Sequence, residues 1–485
     1  MVMQRVSMNL KKETFGMKGI FVKIICLLLF TACISAGCIQ NSTLSMGKLT
    51  LAKKERLLIL APHPDDESLA CAGVIRYAVK HRLPVKVIVL TNGDGYARDV
   101  EVYLNVTRPT AAEFQRLGEI RHEESIAAMR ALGLRAKDVI FFSYADGSIN
   151  SLFEKDWDYD QLHRGLNGCT AAPYSFAYEK AAPYCGANLV KNLEGVIRDF
   201  KPTVIFYPNP DDYHHDHWGV GAFAKYVSIL TNFRGKQYTY LVHQNGREWP
   251  VPSRYAPERE LLPPARLVGL DADWLKYPLG TMETTKGKAV RSYRSQERIM
   301  EPFLDAFIRK NELFAIYPDI QVRRSTRKEF NFFKAQRLPY KIFSDPRDAF
   351  VMREFPNADL TEVGYVYNQQ STWIALETLK DIAPDFRYGF HLRIFQADGA
   401  KSHERVRAFD LYVQNQQAQV RPFAQNSIQY KDPIPVTVRK NRMTIQLDNG
   451  ILFPTKVQRI MLNIDVINPA KHRCDRTPWK IIDLR

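Results

Sequence analysis

The chain has 485 residues, 25% of them charged and 45% apolar, with 27 Pro and 25 Gly spread without period. That composition excludes a disordered, collagen-like or coiled-coil protein, and at roughly 100–200 residues per domain the length predicts two or three domains. The formal net charge is +16; a basic body of this kind fits an anionic partner without naming one.

The N-terminus reads as an address. Five bases, Arg5, Lys11, Lys12, Lys18 and Lys23, precede the apolar run Ile24 to Ala36, which ends in small residues. This is the pattern of a secretory signal, and the run is shorter than the ~20 residues of a spanning helix. Ile34-Ser35-Ala36-Gly37-Cys38 resembles a bacterial lipobox, departing from it at Ser35. Residues 1–37 are therefore expected to be a lipoprotein-type signal peptide, with Cys38 lipidated and 38–55 a linker. The expected location is the bacterial cell envelope, on the periplasmic side, with the membrane reached through the lipid anchor. Plain cleavage and a free secreted protein is the alternative. Cys169 and Cys185 flank a Pro/Ala/Tyr-rich loop and could pair in an oxidising compartment.

From residue 57 onward, strands alternate with helices. Strands are expected at 57–61, 85–90, 139–142, 204–207 and near 238–242, and helices at 68–80, 120–132, 189–200 and 220–230. This alternation predicts an α/β fold: a Rossmann-like, mostly parallel sheet flanked by helices, with ligands at the carboxyl ends of its strands. Two such ends carry the chemistry. His63-Pro64-Asp65-Asp66 brings an imidazole and a carboxylate one turn apart, and Asp211 to His217 follows the strand ending at Tyr207. Two His and a carboxylate with a position left open is the ligand set of a catalytic zinc or of non-haem iron(II). The segment 144–188 is long for a loop between α/β elements and carries Tyr144, Trp157, Tyr159, Tyr174, Tyr178 and Tyr184. These aromatics either stack on sugar rings or pack against the domain.

Ala61-Pro62-His63-Pro64-Asp65-Asp66-Glu67 resembles the A-H-P-D-D-E string of the PIG-L/LmbE-like N-acetylglucosaminyl deacetylases, with Pro62 inserted. His214-His215-Asp216-His217 resembles that family's H-P-D-H, with His215 in place of Pro. Arg121, Glu124, Ala128, Leu132 and Gly133, then Ser295-Gln296 and Asn311-Glu312-Leu313-Phe314, are similar to further family segments in the same order. The resemblance implies a deacetylase domain over 56–330, with zinc (or iron(II)) on His63, Asp66 and His217. It implies Asp65 as general base, His214 as oxyanion donor or proton shuttle, and Asp216 as the carboxylate that orients a histidine. Asn92, Arg121, Glu124 and Tyr213 are candidate substrate-binding residues; Arg121 and Glu124 are equally able to brace the metal loop, and Tyr213 to pack.

Beyond Tyr317 the pattern changes to short alternating strands, clearest at 386–394, 443–447 and 460–466. These predict a C-terminal all-β sandwich over 345–485, beginning between 345 and 385. Residues 386–485 hold 17 Lys/Arg against 8 Asp/Glu, a basic excess with no helix-turn-helix, finger or RNA-binding signature, so nucleic acid is not an expected partner. The expected function is zinc-dependent removal of an N-acetyl group from an amino sugar in a glycan or glycoconjugate. A non-catalytic envelope lipoprotein that binds glycans is the alternative.

Overall fold

A computed structural model describes residues 46–244, 249–346, 349–396, 406–425, 427–453 and 457–485. The expected signal segment and Cys38 lie outside the described residues. Among the described residues no helix is long and apolar enough to cross a membrane.

The α/β half is built on eight strands, β1 (Gly47–Lys48), β2 (Leu57–Ala61), β3 (Val85–Thr91), β4 (Val139–Tyr144), β5 (Val204–Pro208), β6 (Lys236–Tyr240), β7 (Asp273–Pro278) and β8 (Asn311–Ile316). Helices α1 (Asp66–Lys80), α2 (Ala97–Tyr103), α3 (Ala111–Ala131), α4 (Ile149–Glu154), α5 (Gly186–Phe200), α6 (His215–Leu230), α7 (Glu283–Val290) and α8 (Arg294–Asp305) connect them. The sheet order is β1-β7-β8-β6-β5-β2-β3-β4. Strands β4, β3, β2, β5 and β6 run parallel, and β8 pairs antiparallel with β6 and β7. A strand such as Leu57-Leu58-Ile59-Leu60-Ala61 is apolar throughout because both its faces are covered: Leu57 and Ile59 join one core and Leu58 and Leu60 the other. Sequence order reverses between β2 and β5, which opens a crevice at their carboxyl ends.

Helix α3 begins nine residues before the 120 expected from its apolar spacing. The reason is a capping box, in which Thr110 and Glu113 satisfy each other's backbone N–H groups at the helix start. In the long loop Tyr144, Trp157, Tyr174 and Tyr184 are buried, and Tyr159 and Tyr178 are exposed. Most of these aromatics therefore serve the core. The disulfide considered between Cys169 and Cys185 is not formed, and both thiols are free. The loop is closed by backbone pairing instead, with Ala172 N donating to Ala182 O and Tyr184 N to Thr170 O, both at 2.9 Å.

The C-terminal part contains two further sheets. One is antiparallel, in the spatial order Lys341–Ser344, Leu360–Tyr367, Ser371–Thr378, Arg442–Asp448, Val436–Arg439. The other runs Gln417–Arg421, Val406–Gln414, Arg387–Gln396, Val457–Ile467, Lys480–Leu484, Ile320–Val322. They close on a shared core that includes Val363, Ile374, Phe390, Leu411 and Ile464. Because Ile320–Val322 pairs with Ile482–Leu484, this sheet draws on chain well before residue 345. The two halves meet in an apolar seam, where Trp479 packs on Phe153 with ring centroids 5.2 Å apart and Phe395 on Tyr226, also at 5.2 Å.

Candidate active site

The turn after β2 is held in an unfavourable shape. Asp65 has φ 134° and ψ −34°, a conformation that non-glycine residues adopt only where their surroundings impose it. Two neighbours do so, through three contacts. Glu67 Oε2 accepts from Asp65 N at 3.1 Å, Arg121 Nη2 donates to Pro64 O at 2.7 Å, and the same nitrogen lies 3.1 Å from Asp65 Oδ2. Glu67 is itself fixed by the Ser125 and Tyr293 hydroxyls, each at 2.7 Å. Gly93 allows Arg121 this close approach: its φ is +60°, and a Cβ there would collide with the guanidinium.

The turn after β5 supplies the other half. His214 is the N-cap of α6, its Nδ1 accepting from Asp216 N at 3.2 Å, and His217 lies in the first helical turn. Three donor atoms then converge. His63 Nδ1 is 3.2 Å from Asp66 Oδ2, and His217 Nε2 is 3.1 Å from the same oxygen. Both rings are further held by carboxylates. Asp146 Oδ1 and Asp216 Oδ2 lie 3.1 and 3.2 Å from His63 Nε2, and Asp212 Oδ2 lies 3.3 Å from His217 Nδ1. Asp216 is anchored by the Gly147 and Ile149 N–H groups at 2.7 and 2.9 Å. Asp212 accepts from His214 N, Val242 N and His243 N at 3.0, 3.0 and 3.1 Å.

Burial raises the Asp66 carboxyl, but the His217 charge and the close approach of both imidazoles outweigh it and hold the group well below the usual carboxylate range. Burial and then the Asp66 charge push Asp65 well above that range, against the pull of Arg121. For His217, the Asp212 and Asp66 charges overcome burial and raise the imidazole to about 9. His214 goes the other way, lowered to about 4 by burial and by the His63 and His217 charges.

These residues fit a divalent cation. Asp66 Oδ1 is buried without a hydrogen-bond partner among the described residues, and the close contacts of His217 Nε2 with Asp66 and of Nδ1 with Asp212 fall outside hydrogen-bond geometry. His63 Nδ1 and His217 Nε2 meeting at Asp66 Oδ2, with carboxylates behind both imidazoles, form a donor set that a metal would satisfy. Three groups have donor atoms within 4.8 Å of one another: His63 with His214 and His217, Asp66 with His217 and His243, and His63 with Asp146 and Asp216.

The sequence-predicted residues His63, Asp65, Asp66, His214, Asp216 and His217 all lie in this cluster. The candidate substrate residues divide. Arg121 is 3% exposed, and its hydrogen bonds go to Gly93 O, Pro64 O and Asp65. Glu124 accepts from Ser295 N and Oγ at 2.8 and 2.7 Å. Asn92 is fully buried, with Ser143 Oγ donating to its Oδ1 at 3.3 Å. Tyr213 is 44% exposed at the rim, with the Arg266 guanidinium over its ring. Asp146, Asp212 and His243 went unassigned in the sequence. Asp146 follows β4 and His243 follows β6, so both stand at the sheet edge where ligands bind, a position that could have marked them.

Residues 58–228 match the PIG-L family, described as GlcNAc-PI de-N-acetylase, which bears out the resemblance stated from the sequence. A Bacillus subtilis protein, "Probable N-acetyl-alpha-D-glucosaminyl L-malate deacetylase 2", is 35% identical over 96 residues, 18% of this chain and 40% of that protein. The 1D-myo-inositol 2-acetamido-2-deoxy-alpha-D-glucopyranoside deacetylase 1 of Saccharopolyspora erythraea is 28% identical over 193 residues, 38% of this chain and 59% of that protein. The chain thus spans 40–59% of the length of these two relatives. The solved N,N'-diacetylchitobiose deacetylase of Pyrococcus horikoshii is 17% identical, with 63% of this chain and 95% of that chain covered and a TM-score of 0.33, a likeness too distant to bear on activity.

Proposed function

We propose that this chain, whose residues 58–228 match the PIG-L family, hydrolyses the N-acetyl group of an N-acetylglucosamine-type amino sugar in a glycan or glycoconjugate and releases acetate. The observation that carries the reading is the meeting of His63 Nδ1 and His217 Nε2 on Asp66 Oδ2, with Asp65 beside them in a strained turn. His63, Asp66 and His217 would hold the metal, zinc in this reading with iron(II) as the other candidate. When bound, such an ion supplies a Lewis acid that polarises the acetamide carbonyl and acidifies a water.

The chain's own groups do the rest. Arg121 fixes Asp65 Oδ2, so Asp65 Oδ1 takes the proton of the attacking water and returns it to the amine nitrogen as the C–N bond breaks. His214 accepts a backbone N–H at Nδ1, which leaves the proton on Nε2, where it can donate to the carbonyl oxygen as negative charge develops. Asp216 and Asp146 hold the His63 ring, and Asp212 the His217 ring, in the orientation ligation requires. The parallel strand order supports a Rossmann-like description of the scaffold, with the site at its reversal point. The apolar run Ile24 to Ala36 and the lipobox-like approach to Cys38 support a lipid-anchored place in the cell envelope.

The test is acetate release from N-acetylglucosamine oligomers and lipid-linked amino sugars after chelation, with and without added zinc. Release restored by metal supports the reading. No release from any substrate by protein with metal demonstrably bound overturns it.

A further inference from the structure

Beside the candidate metal cluster, at the seam with the C-terminal sheets, lies a cavity of about 450 Å³, within the size range of small-molecule sites. One wall is the turn that holds the catalytic candidates, through Asp212, Tyr213, His215 and Trp218. The opposite wall comes from outside the family-matched segment, through Arg266, Asp345, Arg473 and Arg476. An occupant therefore touches both the residues next to His214 and His217 and side chains that the family match does not reach.

The lining is rigid and its charges are mixed. Arg476 lies over the Trp218 ring at 3.9 Å, with Nη1 donating to Asn150 Oδ1 at 2.9 Å. Arg266 Nε donates to Gln244 Oε1 at 2.7 Å while its guanidinium covers the Tyr213 ring. Arg473 is paired with Glu154 at 2.9 Å and with Asp465 at 3.1 Å. Asp345 is 7% exposed, and its Oδ1 has no hydrogen-bond partner among the described residues. Three guanidiniums stand among four carboxylates, Asp211, Asp212, Asp345 and Asp475, so the lining has no positive excess with which to select a phosphate or a carboxylate. Fixed donors and acceptors beside the exposed Tyr213 and Phe350 rings suit the hydroxyls and apolar face of an uncharged sugar ring.

We propose that this seam cavity is a subsite for a neutral saccharide unit joined to the acetamido sugar, so that the chain acts on an oligosaccharide and its C-terminal region takes part in choosing it. The inference rests on the deacetylase reading above. Asp345 Oδ1 accepts from a hydroxyl of that unit, and Arg476 donates to another.

The experiment compares kcat/KM for acetate release from N-acetylglucosamine, N,N'-diacetylchitobiose and the triacetyl trimer, using the full chain and its Asp345→Asn and Arg476→Ala variants. Calorimetric binding of the trimer to chelated protein runs alongside. In the parent, kcat/KM should rise with chain length. The trimer-to-monomer ratio should fall about tenfold or more in Arg476→Ala, the size of one hydrogen bond to a charged group, and about three- to tenfold in Asp345→Asn, which keeps an acceptor oxygen but not the charge. Should Arg476→Ala fail to fold, the nearly isosteric Asp345→Asn still decides. A ratio of one in the parent, unmoved in Asp345→Asn, overturns the subsite and leaves the deacetylase standing. Trimer binding that Asp345→Asn weakens, without acetate from any sugar, overturns the deacetylase and supports the subsite. A preference for a phosphorylated sugar over the trimer, lost in Arg476→Ala, overturns the neutral assignment.

Discussion

Asp212→Ala should damage both folding and metal binding, and the two effects can be separated. The carboxylate accepts three backbone N–H groups, from His214, Val242 and His243, and stands 3.3 Å from His217 Nδ1. Truncation strands the buried Val242 N–H, at about 1–3 kcal/mol, and removes two half-buried bonds worth about 0.5–1.5 kcal/mol each. The sum is a stability loss of about 2–6 kcal/mol, read as a fall in the urea midpoint. Loss of the carboxylate behind His217 should also weaken metal affinity about 10- to 100-fold, measured by competition with a chromophoric chelator. Asp212→Asn, which keeps an acceptor oxygen, should fall between parent and alanine variant in both assays. A midpoint and a metal affinity both unchanged in Asp212→Ala would refute the reasoning that this residue orients the ligand.

Other perturbations probe separate parts of the molecule. His391 lies between Asp410 and Asp465, at 2.6 and 3.2 Å, with Arg393, Arg473 and Tyr412 around them; burial lowers its pKa, but the Asp465 and Asp410 charges prevail and raise it to about 10. A folded-state pKa above the unfolded ~6.5 stabilises fully below pH 6.5 and ceases to do so as pH rises through about 10, so the parent should lose about 3–5 kcal/mol more than His391→Gln between pH 6 and 10.5 in urea melts. Gly93→Ala places a Cβ into the Arg121 guanidinium and should cut kcat at least ~10-fold while metal titration stays near that of the parent; unchanged kcat would show that Arg121 does not position Asp65. Trp479→Ala empties the seam between Phe153 and Trp218 and should cost about 3–5 kcal/mol, with hydrogen exchange rising on both sides of it.

What the sequence made legible was local. His63 and Asp66 sit three residues apart after an unmistakable strand, so their convergence follows from one turn of chain. The His214 to His217 run is equally compact. Asp146 and His243 reach the centre only through the sheet order, which puts β4 and β6 on either side of β2 and β5 and cannot be read from spacing. Asp212 lies within the quoted run, yet its role depends on meeting the backbone after β6. Arg121 and Glu124 share a helical face in any reading, and only the surrounding carbonyls and Ser295 show that their hydrogen bonds go inward. Strand β8, Asn311–Ile316, was visible as a motif without being recognised as a strand, because its antiparallel partners lie over 30 residues away. Cys169 and Cys185 illustrate the opposite error, since flanking one loop is no measure of whether two sulfurs meet.

In the proposed hydrolytic centre, metal ligands and proton acceptor are different residues. The most direct test of this division measures bound zinc and acetate release together on the parent, Asp65→Asn and His217→Ala. Asp65→Asn should keep its zinc and lose about 10²–10⁴-fold in turnover, whereas His217→Ala should lose both. Full turnover in Asp65→Asn, or undiminished zinc binding in His217→Ala, would contradict it.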